Sequence, residues 1–400
     1  MKKQKPTIEE VLTRGVAEVI DEGHLKTALE SGKPLRIKFG IDPTSPNIHL
    51  GRAVSLLKLR DLQNLGHQIV FIIGDFTGVI GDTSDKESER PMLSAEAVEK
   101  NLETYLEQAG KILDMKKVEF HRNSEWLSKL TFKDISEQAD IFSVAEFIAR
   151  DNIRRRLEAG KRVSLRETLY PLMQGYDSVM LKADLELGGT DQKFNLLAGR
   201  EMQKHYGQKP QDILTVNLIE GLDGRKMSSS WGNTINLTDD ANSMFGKVMS
   251  MGDELIVKYF VHCTRVPMGE VLEVEKEMEK GVLNPRDAKL QLAREIVTIY
   301  HGEEAARDAH TYFISTFTKK EIPEDVAEVS IASDGVKLTE FLMMAKLATS
   351  NADARRKIEQ GGVSVDGEKL SDWKMILDKN FDSKVMKVGK FGFAKIVFRK

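Results

Sequence analysis

The chain has 400 residues, of which 40% are hydrophobic and 30% charged, a composition typical of a globular protein with two or three domains. A formal net charge of −3 argues against a general affinity for polyanions, and the single cysteine, Cys263, excludes a disulfide framework or a cysteine zinc site within one chain. This cysteine usage, a charged N-terminal stretch (MKKQKPTIEEVLTRG) without an apolar core, and the lack of any run of 18 apolar residues predict a cytoplasmic protein with no membrane span.

The first predicted elements are a helix and a βαβ unit. Apolar residues recur at three- and four-residue steps over 8–20, which predicts one helix there. LRIKFGI (35–41) is typical of a strand, and a leucine stripe over 56–65, closed by Gly66, predicts a helix. QIVFIIGD (68–75) is a nearly continuous apolar run, as expected for a strand covered on both faces. This order predicts a parallel sheet with a right-handed crossover.

The rest of the chain is predicted to be mostly helical up to its last part. Residues 92–180 and 240–325 have helical patterns, and further strands are expected in KVEFHR, ADLELGGTDQ and DILTVNLIEGLDG. IPEDVAEVSIASDGV (322–336) is interpreted as a linker or an edge segment. The last 64 residues change character, with helices near 338–346 and 351–360 followed by short strands and turns such as VDGE.

Charge is distributed unevenly along the chain. Residues 335–400 contain 14 Lys and Arg against 8 Asp and Glu, a net of +6, whereas residues 1–334 carry a net of −9. A basic segment on an acidic body is consistent with a local nucleic-acid contact and also with a lysine-rich solvated surface, so charge alone leaves both open. The run Arg355-Arg356-Lys357 on a short predicted helix is the candidate RNA contact.

The stretch DPTSPNIHLGR (42–52) lies where the first strand of the βαβ unit ends and its helix begins. Ligands of open α/β sheets bind at this edge, and the free N–H groups at the start of the helix favour anions. Thr44 and His49 can donate to phosphate oxygens, and Gly51 leaves room for a base or sugar to lie on the backbone. A helix-capping histidine followed by a spacer glycine is the alternative. P-loop, dinucleotide and GxSxG motifs are absent from the sequence.

A second polar stretch, GLDGRKMSSS (221–230), follows the last predicted apolar strand. A turn at Asp223-Gly224, the cations Arg225 and Lys226, and three hydroxyls suit a mobile clamp for polyphosphate. An ordinary solvated loop is the alternative for this stretch alone. The occurrence of both stretches in this order, each on the expected element, favours a shared phosphate site.

Tyr170, Gln174 and Asp177 recur at i, i+4 and i+7 and therefore lie on one face of a predicted helix. Their sequence neighbours are apolar, which predicts a buried polar face whose partners a ligand supplies. A solvent-exposed face is the alternative.

These motifs resemble those of a known family. His49-Leu50-Gly51-Arg52 resembles the HIGH signature, and Lys226-Met227-Ser228-Ser229-Ser230 the KMSKS signature, of class I aminoacyl-tRNA synthetases. GIDPTSPNIHLG, GDFTGVIGD, LYPLMQGYD and GGTDQKFN are similar to stretches of bacterial tyrosyl-tRNA synthetases, and SNADARRKIEQGGVSVDGEKL is similar to the S4 RNA-binding module that ends them. The resemblance covers nearly the whole chain.

The resemblance implies an α/β fold with three parts and a two-step reaction. A Rossmann-like catalytic domain with a parallel sheet (1–235, helical insertion about 115–165) would precede an α-helical anticodon-arm-binding domain (236–325) and a small α+β S4 domain (337–400). Tyrosine and ATP would give tyrosyl-adenylate and pyrophosphate, after which the tyrosyl group moves to the 3′ end of tRNA(Tyr). Mg²⁺ would travel with ATP, with no protein metal site, and the family's homodimer would use residues around 115–165.

The resemblance also implies roles for individual residues. Catalysis would involve Thr44, His49, Lys86, Arg90 and Lys226. ATP would be bound by Gly51, Arg52, Gly189, Asp191, Lys226, Ser228 and Ser229. Tyrosine would be bound by Lys38, Asp82, Tyr170, Gln174, Asp177 and Gln192, with Asp177 accepting from the phenol hydroxyl. The tRNA would contact Arg355, Arg356 and Lys357.

The sequence departs from the family pattern at four positions. Arg52 replaces the second histidine of the first signature, and Ser229 replaces the second lysine of the other. Lys38 stands where many members have a tyrosine that helps to bind the substrate phenol, and Thr83 replaces a common proline. We interpret these differences as subfamily variation, because His49, Asp177 and Lys226 remain.

Three other functions are considered. A tryptophanyl-tRNA synthetase would share the fold, but a carboxylate at Asp177 suits a hydroxyl donor better. A small-molecule nucleotidylyltransferase would not need the helical domain or the basic segment. A non-catalytic RNA-binding relative would not need the phosphate and tyrosine residues.

Overall fold

The structure is a computed structural model that describes residues 5–43, 46–80, 94–318, 326–331, 335–389 and 392–398. The chain divides into two compact units, one formed by residues 1–239 with 247–303 and the other by residues 240–246 with 304–400. These units do not coincide with the three domains expected from the sequence, whose boundaries stay a prediction.

The first unit is built on a six-stranded sheet with the order β1-β6-β5-β2-β3-β4. Its strands are β1 Val16–Ile20, β2 Arg36–Ile41, β3 Gln68–Ile73, β4 Val118–Arg122, β5 Leu185–Gly189 and β6 Asp212–Val216. All neighbours in the sheet are parallel except β1, which runs antiparallel to β6. The α/β class with a parallel sheet is therefore confirmed, and so are the strands expected at 35–41 and 68–75.

The single helix predicted over residues 8–20 is wrong. A short helix, α1 (Ile8–Thr13), ends there, and Val16–Ile20 forms the edge strand β1. Gly15 separates them with a φ of 66°, and a Cβ at this position would lie 2.7 Å from His262 Nδ1. The spacing of Val16, Val19 and Ile20 fits both structures, and pairing with β6 decides the outcome.

Helices alternate with the strands along the chain and continue after β6. Up to residue 205 they are α2 Glu22–Glu30, α3 Leu50–Leu65, α4 Asp75–Ile80, α5 Ala95–Ala109, α6 Ser124–Leu127, α7 Phe132–Ala139, α8 Val144–Ile148, α9 Asp151–Glu158, α10 Leu165–Leu181 and α11 Lys193–His205. They continue with α12 Ala241–Ser250, α13 Ile256–Cys263, α14 Met268–Glu279, α15 Pro285–His301 and α16 Glu303–Phe313. Gly66 closes α3 in the left-handed conformation, as the sequence predicted. Among the described residues, each helix is too short or too polar to cross a membrane.

The second unit contains a five-stranded sheet with the order β10-β9-β12-β13-β7. The unit includes the first part of α12 and nearly all of α16. Its other elements are β7 Glu328–Ile331, β8 Val336–Lys337, α17 Leu338–Met344, α18 Asn351–Glu359, β9 Val363–Val365, β10 Glu368–Lys369, β11 Ile376–Leu377, β12 Val385–Val388 and β13 Gly392–Phe398. The VDGE turn joins β9 to β10, with positive φ at Asp366 and Gly367. The segment 322–336 contributes the edge strand β7, which pairs in parallel with β13.

Candidate active site

His49 is the N-cap of α3, at the carboxyl edge of the sheet, and its side chain makes no capping hydrogen bond. The helix-capping alternative therefore holds for the position of His49 but not for its side chain. The side chain is buried, and its Nδ1 has no hydrogen-bond partner among the described residues. Burial, followed by the charges of Arg52 and Lys226, lowers the pKa of His49 to about 3, so the imidazole is neutral. It can offer one N–H to a ligand, but no charge.

The two signature stretches lie next to each other. Gly51 N–H donates to Met227 Sδ at 3.3 Å, and Leu50 N–H donates to the Ile235 carbonyl at 2.8 Å. A Cβ on Gly51 would lie 3.0 Å from His49 Nδ1, so the space left by this glycine is used by the histidine ring. Loop 221–230 is thus tied to the start of α3 through the buried Met227, whereas residues 223–225 and 229–230 are exposed to solvent.

Lys226 is directed to the end of β5. Its Nζ donates to Asp191 Oδ2 at 3.2 Å, and Asp191 lies in the 3₁₀ turn Thr190–Gln192 that follows the strand. The family resemblance implies that both residues bind ATP, and the contact places them side by side. Gly189, the last residue of β5, lies beside Asp191, because a Cβ added to this glycine would lie 2.6 Å from Asp191 Oδ1. Gln192 also lies in this turn, and its Oε1 accepts from Asn195 Nδ2 at 3.0 Å.

Asn233 holds the loop in shape, and sequence reasoning missed it. Its Nδ2 donates to Asp223 Oδ1 at 2.7 Å and to the Lys226 carbonyl at 3.1 Å, and its Oδ1 accepts from Ser228 N–H at 2.9 Å. Its backbone carbonyl accepts from Leu222 N–H at 3.0 Å. The hydrogen bond from Asn233, followed by that from Arg225, lowers the pKa of Asp223 to about 2. Buried asparagine that closes a loop has no signature in a single sequence.

The polar face of α10 is buried, so the alternative of a solvent-exposed face is wrong. Asp177 is only 3% exposed and accepts hydrogen bonds from Trp126 Nε1 at 2.7 Å and Asn123 Nδ2 at 3.3 Å. Burial raises the pKa of Asp177 to about 7, although Lys38 and both hydrogen bonds favour the ionised form. The Tyr170 hydroxyl donates to Asp42 Oδ2 at 2.7 Å.

The assignment of Lys38 to the substrate is corrected by its contacts. Its side chain is fully buried, and its Nζ donates to the Gln174 carbonyl at 2.7 Å and to Ser178 Oγ at 2.8 Å. The third contact is an ion pair with Glu186 Oε1 at 2.9 Å. An ammonium has three donors, so none remains for a ligand.

The remaining predicted residues fall into two groups. Arg52 lies in the first turn of α3, and Ser228 and Ser229 begin a 3₁₀ turn that ends at Trp231. Four predicted site residues lie outside the described residues: Thr44, Asp82, Lys86 and Arg90. Thr83, one of the departures from the family pattern, lies outside them as well. Within the described part of the chain, no group of three or more His, Cys, Asp or Glu side chains could hold a metal ion.

The predicted tRNA-binding run lies on α18 in the second unit. The Lys357 ammonium contacts the Leu347 carbonyl and Asp353, each at 2.9 Å, and is therefore largely used within the fold. Arg356 is 66% exposed beside the same aspartate, and the Arg355 guanidinium lies 4.5 Å above the Trp373 ring. The two arginines remain accessible to a phosphate backbone.

Sequence reasoning missed several residues that shape the site. Asp42 comes directly after a parallel strand, and that position could have indicated it. Trp126 and Asn123 carried no signal, because they reach Asp177 from a separate helix and loop. Glu186 lies inside a predicted apolar strand, where a carboxylate needs a partner, and this could have pointed to Lys38.

The chain is similar to known proteins along most of its length. Residues 30–318 match the family described as tRNA synthetases class I (W and Y), and residues 319–390 match the Tyrosine--tRNA ligase SYY-like C-terminal domain. The chain is 48% identical to the Tyrosine--tRNA ligase of Carboxydothermus hydrogenoformans, covering 98% of both chains. It is 45% identical to that of Francisella tularensis, covering 100% of both.

The fold is also similar to solved structures. A crystal structure of tyrosyl-tRNA synthetase complexed with L-tyrosine from Archaeoglobus fulgidus matches with a TM-score of 0.60 and 24% identity, covering 76% of this chain and 99% of that chain. A C-terminally truncated mitochondrial tyrosyl-tRNA synthetase from Aspergillus nidulans matches with a TM-score of 0.64 and 21% identity, covering 79% and 95%.

Proposed function

The chain belongs to the class I tRNA synthetases of the tryptophan and tyrosine family, and on this premise we propose that it is a tyrosine–tRNA ligase. It activates L-tyrosine with ATP to tyrosyl-adenylate, releases pyrophosphate and transfers the tyrosyl group to the 3′ end of tRNA(Tyr). One observation carries the choice of amino acid. Asp177 is a buried carboxylate at the end of a polar helix face, and it suits the hydroxyl of a phenol.

Adenylate formation requires alignment and positive charge. The tyrosine carboxylate attacks the α-phosphorus in line, so no covalent enzyme nucleophile is needed, and charge grows on the leaving pyrophosphate. Neutral His49 donates an N–H to ATP phosphate from the start of α3. When pyrophosphate departs, Lys226 donates to its oxygens and its contact with Asp191 weakens. Thr44, Lys86 and Arg90 are assigned to the same phosphates by the family pattern, and Mg²⁺ enters with ATP.

Amino-acid recognition is divided between the two ends of the substrate. Asp177 accepts from the phenol hydroxyl, while Tyr170, Gln174 and Asp82 hold the ammonium. The Asp42 carboxylate orients the Tyr170 hydroxyl, since it accepts the hydroxyl's only proton at 2.7 Å.

Residues at the end of β5 and in the turn that follows it are assigned to the reacting carboxylate and to the nucleotide. Gln192 lies near the substrate carboxylate, and Gly189 and Asp191 lie near the adenosine ribose. The nearby Arg52, Gly51, Ser228 and Ser229 complete the ATP site.

The second step needs the tRNA. Arg355 and Arg356 contact its phosphate backbone, with Lys357 contributing mainly to the fold of α18. The reaction takes place in the cytoplasm.

We assign a homodimer interface to the segment around 115–165. Large apolar side chains are exposed there in one protomer, with Phe132 at 87%, Val144 at 74% and Leu165 at 78% exposure. Their concentration in one segment supports burial against a second copy.

ATP–pyrophosphate exchange tests the proposed function. We expect exchange that depends on tyrosine, does not occur with tryptophan and does not require tRNA, followed by charging of tRNA(Tyr). Exchange with tryptophan alone would indicate the other specificity of the family. Binding of RNA without exchange would indicate a non-catalytic relative.

A further inference from the structure

A fully buried ion pair lies beneath the polar face of α10. Lys38 on β2 and Glu186 on β5 face each other at 2.9 Å, with side-chain exposures of 0% and 1%. Glu186 Oε2 also accepts from Ser178 Oγ at 3.2 Å and from Gln211 Nε2. The pair is therefore surrounded by hydrogen bonds and closed to solvent.

Charges buried this completely contribute little net stability. Removing both ions from water costs about as much as their attraction returns, and similar pairs can be replaced by apolar side chains without loss. The contacts that the pair makes with α10 are more informative. Lys38 Nζ donates to the Gln174 backbone carbonyl at 2.7 Å, and Glu186 Oε1 accepts from Gln174 Nε2 at 3.1 Å.

The contact with Glu186 determines the orientation of the Gln174 side-chain amide. An ionised carboxylate accepts hydrogen bonds and cannot donate them, so the amide atom facing Glu186 must be nitrogen. The oxygen of the amide is then directed away from Glu186. It accepts no hydrogen bond within the described part of the chain. In the opposite orientation, the amide NH₂ would face a substrate ammonium and repel it.

We propose that the buried Lys38–Glu186 pair is a positioning pair, which fixes the Gln174 amide with its oxygen toward the α-ammonium group of the amino-acid substrate. Lys38 anchors the backbone of Gln174, Glu186 orients its side chain, and together they set the affinity for the ammonium. This inference rests on the proposed function, since it assigns the ammonium of tyrosine to Gln174.

The test compares two ligands in a variant that lacks both charges. Lys38→Met combined with Glu186→Met keeps the side-chain volumes and removes the acceptor for Gln174 Nε2. We expect the KM for tyrosine in pyrophosphate exchange to rise roughly 10- to 100-fold, with kcat changed less than about threefold. The inhibition constant of 3-(4-hydroxyphenyl)propanoate, which is tyrosine without its amino group, should change less than about twofold.

Two further variants control for structural effects. Glu186→Gln keeps one oxygen that can accept from Gln174 Nε2 but removes the counter-charge of Lys38, so its KM for tyrosine should rise less than that of the double variant. Lys58→Met removes another buried lysine, whose Nζ donates to the Val11 carbonyl at 2.7 Å, and should leave the KM for tyrosine unchanged.

The outcomes separate the inference from the function on which it rests. An unchanged tyrosine KM in the double variant, or equal weakening of tyrosine and the deaminated ligand, would overturn the inference. If that variant does not fold, a crystal structure of the wild type with tyrosine decides. The ammonium must then lie within hydrogen-bond distance of Gln174 Oε1, while Nε2 stays on Glu186. Failure of the proposed function would appear earlier, as wild-type protein without tyrosine-dependent exchange.

Discussion

Asp177 and His49 are both buried, and their pKa values are shifted in opposite directions. The pKa of the carboxyl group is raised and that of the imidazole is lowered, in both cases chiefly by burial. The first is surrounded by neutral donors on α6 and the preceding loop, and the second lies beside Arg52 and Lys226.

Substitution of these two residues should separate amino-acid choice from ATP use. Asp177→Ala removes the acceptor of the phenol hydroxyl, so the ratio of kcat/KM for tyrosine over phenylalanine should fall at least about tenfold, mainly through loss of tyrosine. His49→Ala, the matched control, should lower both activities together and leave the ratio unchanged. The measurement is pyrophosphate exchange with each amino acid. A ratio that changes as much in His49→Ala would place the histidine in the amino-acid pocket.

The raised pKa of Asp177 has a consequence for stability. Its pKa of about 7 in the folded state lies above the ordinary value of 3.8, so the folded protein binds this proton more tightly than the unfolded chain does. The unfolding free energy of the ligand-free protein should therefore decrease from about pH 4 to about pH 7. Asp177→Asn should remove that part of the slope and gain roughly 2–4 kcal/mol on the wild type between pH 4 and pH 8. Urea unfolding at several pH values measures this, and parallel curves would contradict it.

Lys226 should act in the chemical step. Positive charge is needed when pyrophosphate departs, so Lys226→Ala should slow adenylate formation roughly 30- to 1000-fold and leave tyrosine affinity nearly unchanged. Lys258→Ala is a suitable control, because Lys258 forms an exposed ion pair with Glu220 near the same loop. Rapid-quench adenylate formation is the measurement. A normal rate with weaker tyrosine binding would refute this role.

Sequence patterns revealed residues whose role follows from local spacing. The i, i+4, i+7 pattern correctly predicted that Tyr170 and Asp177 share a buried helix face. The position of Lys38 could not reveal its partner, since Glu186 is far away in the chain and meets it only after β2 and β5 pair. The contacts of a buried charge depend on tertiary structure, which a single sequence does not encode locally.

At the scale of elements, the same limit explains the wrong helix at 8–20. Strands covered on both faces, such as 68–75, have continuous apolar runs and were predicted correctly. The edge strands β1 and β7 have weaker apolar patterns, because each pairs with only one neighbouring strand in its sheet. Their assignment as strands depends on pairing with β6 and β13, which are distant in sequence.

The loop 221–230 is predicted to depend on one side chain outside it. Asn233→Ala removes the hydrogen bonds to Asp223, to the Lys226 carbonyl and from Ser228 N–H. Misplacement of Lys226 should slow adenylate formation about 10²-fold. Addition of Lys226→Ala should then cost less than it does in the wild type, because both changes act through one contact.

A control for this loop variant is available nearby. Asn236→Ala changes an amide in the same segment that takes no part in this network and should leave the rate unchanged. Thermal unfolding of each variant shows whether the fold is retained. Full additivity of Asn233→Ala and Lys226→Ala would mean that Asn233 acts independently of the lysine.

At the scale of the whole molecule, the charge asymmetry suggests a division of labour. The residues assigned to ATP and tyrosine belong to the first compact unit, and the basic run belongs to the second. The second unit has its own hydrophobic core around Phe341, Leu342 and Ile358. An independent core is consistent with a part that can be removed without unfolding the rest.

Removal of residues 337–400 should therefore uncouple the two steps of the reaction. Tyrosine-dependent pyrophosphate exchange should stay within about threefold of the full chain, since this step uses only the first unit. Charging of tRNA(Tyr) should fall at least about tenfold at physiological salt. The slope of log K against log salt should become shallower by about 1.4 to 1.8, because Arg355 and Arg356 no longer displace counterions. Arg355→Ala with Arg356→Ala in the full chain is the matched control, and its slope should change in the same direction. Full charging by the truncated enzyme would show that the basic segment is only a solvated surface.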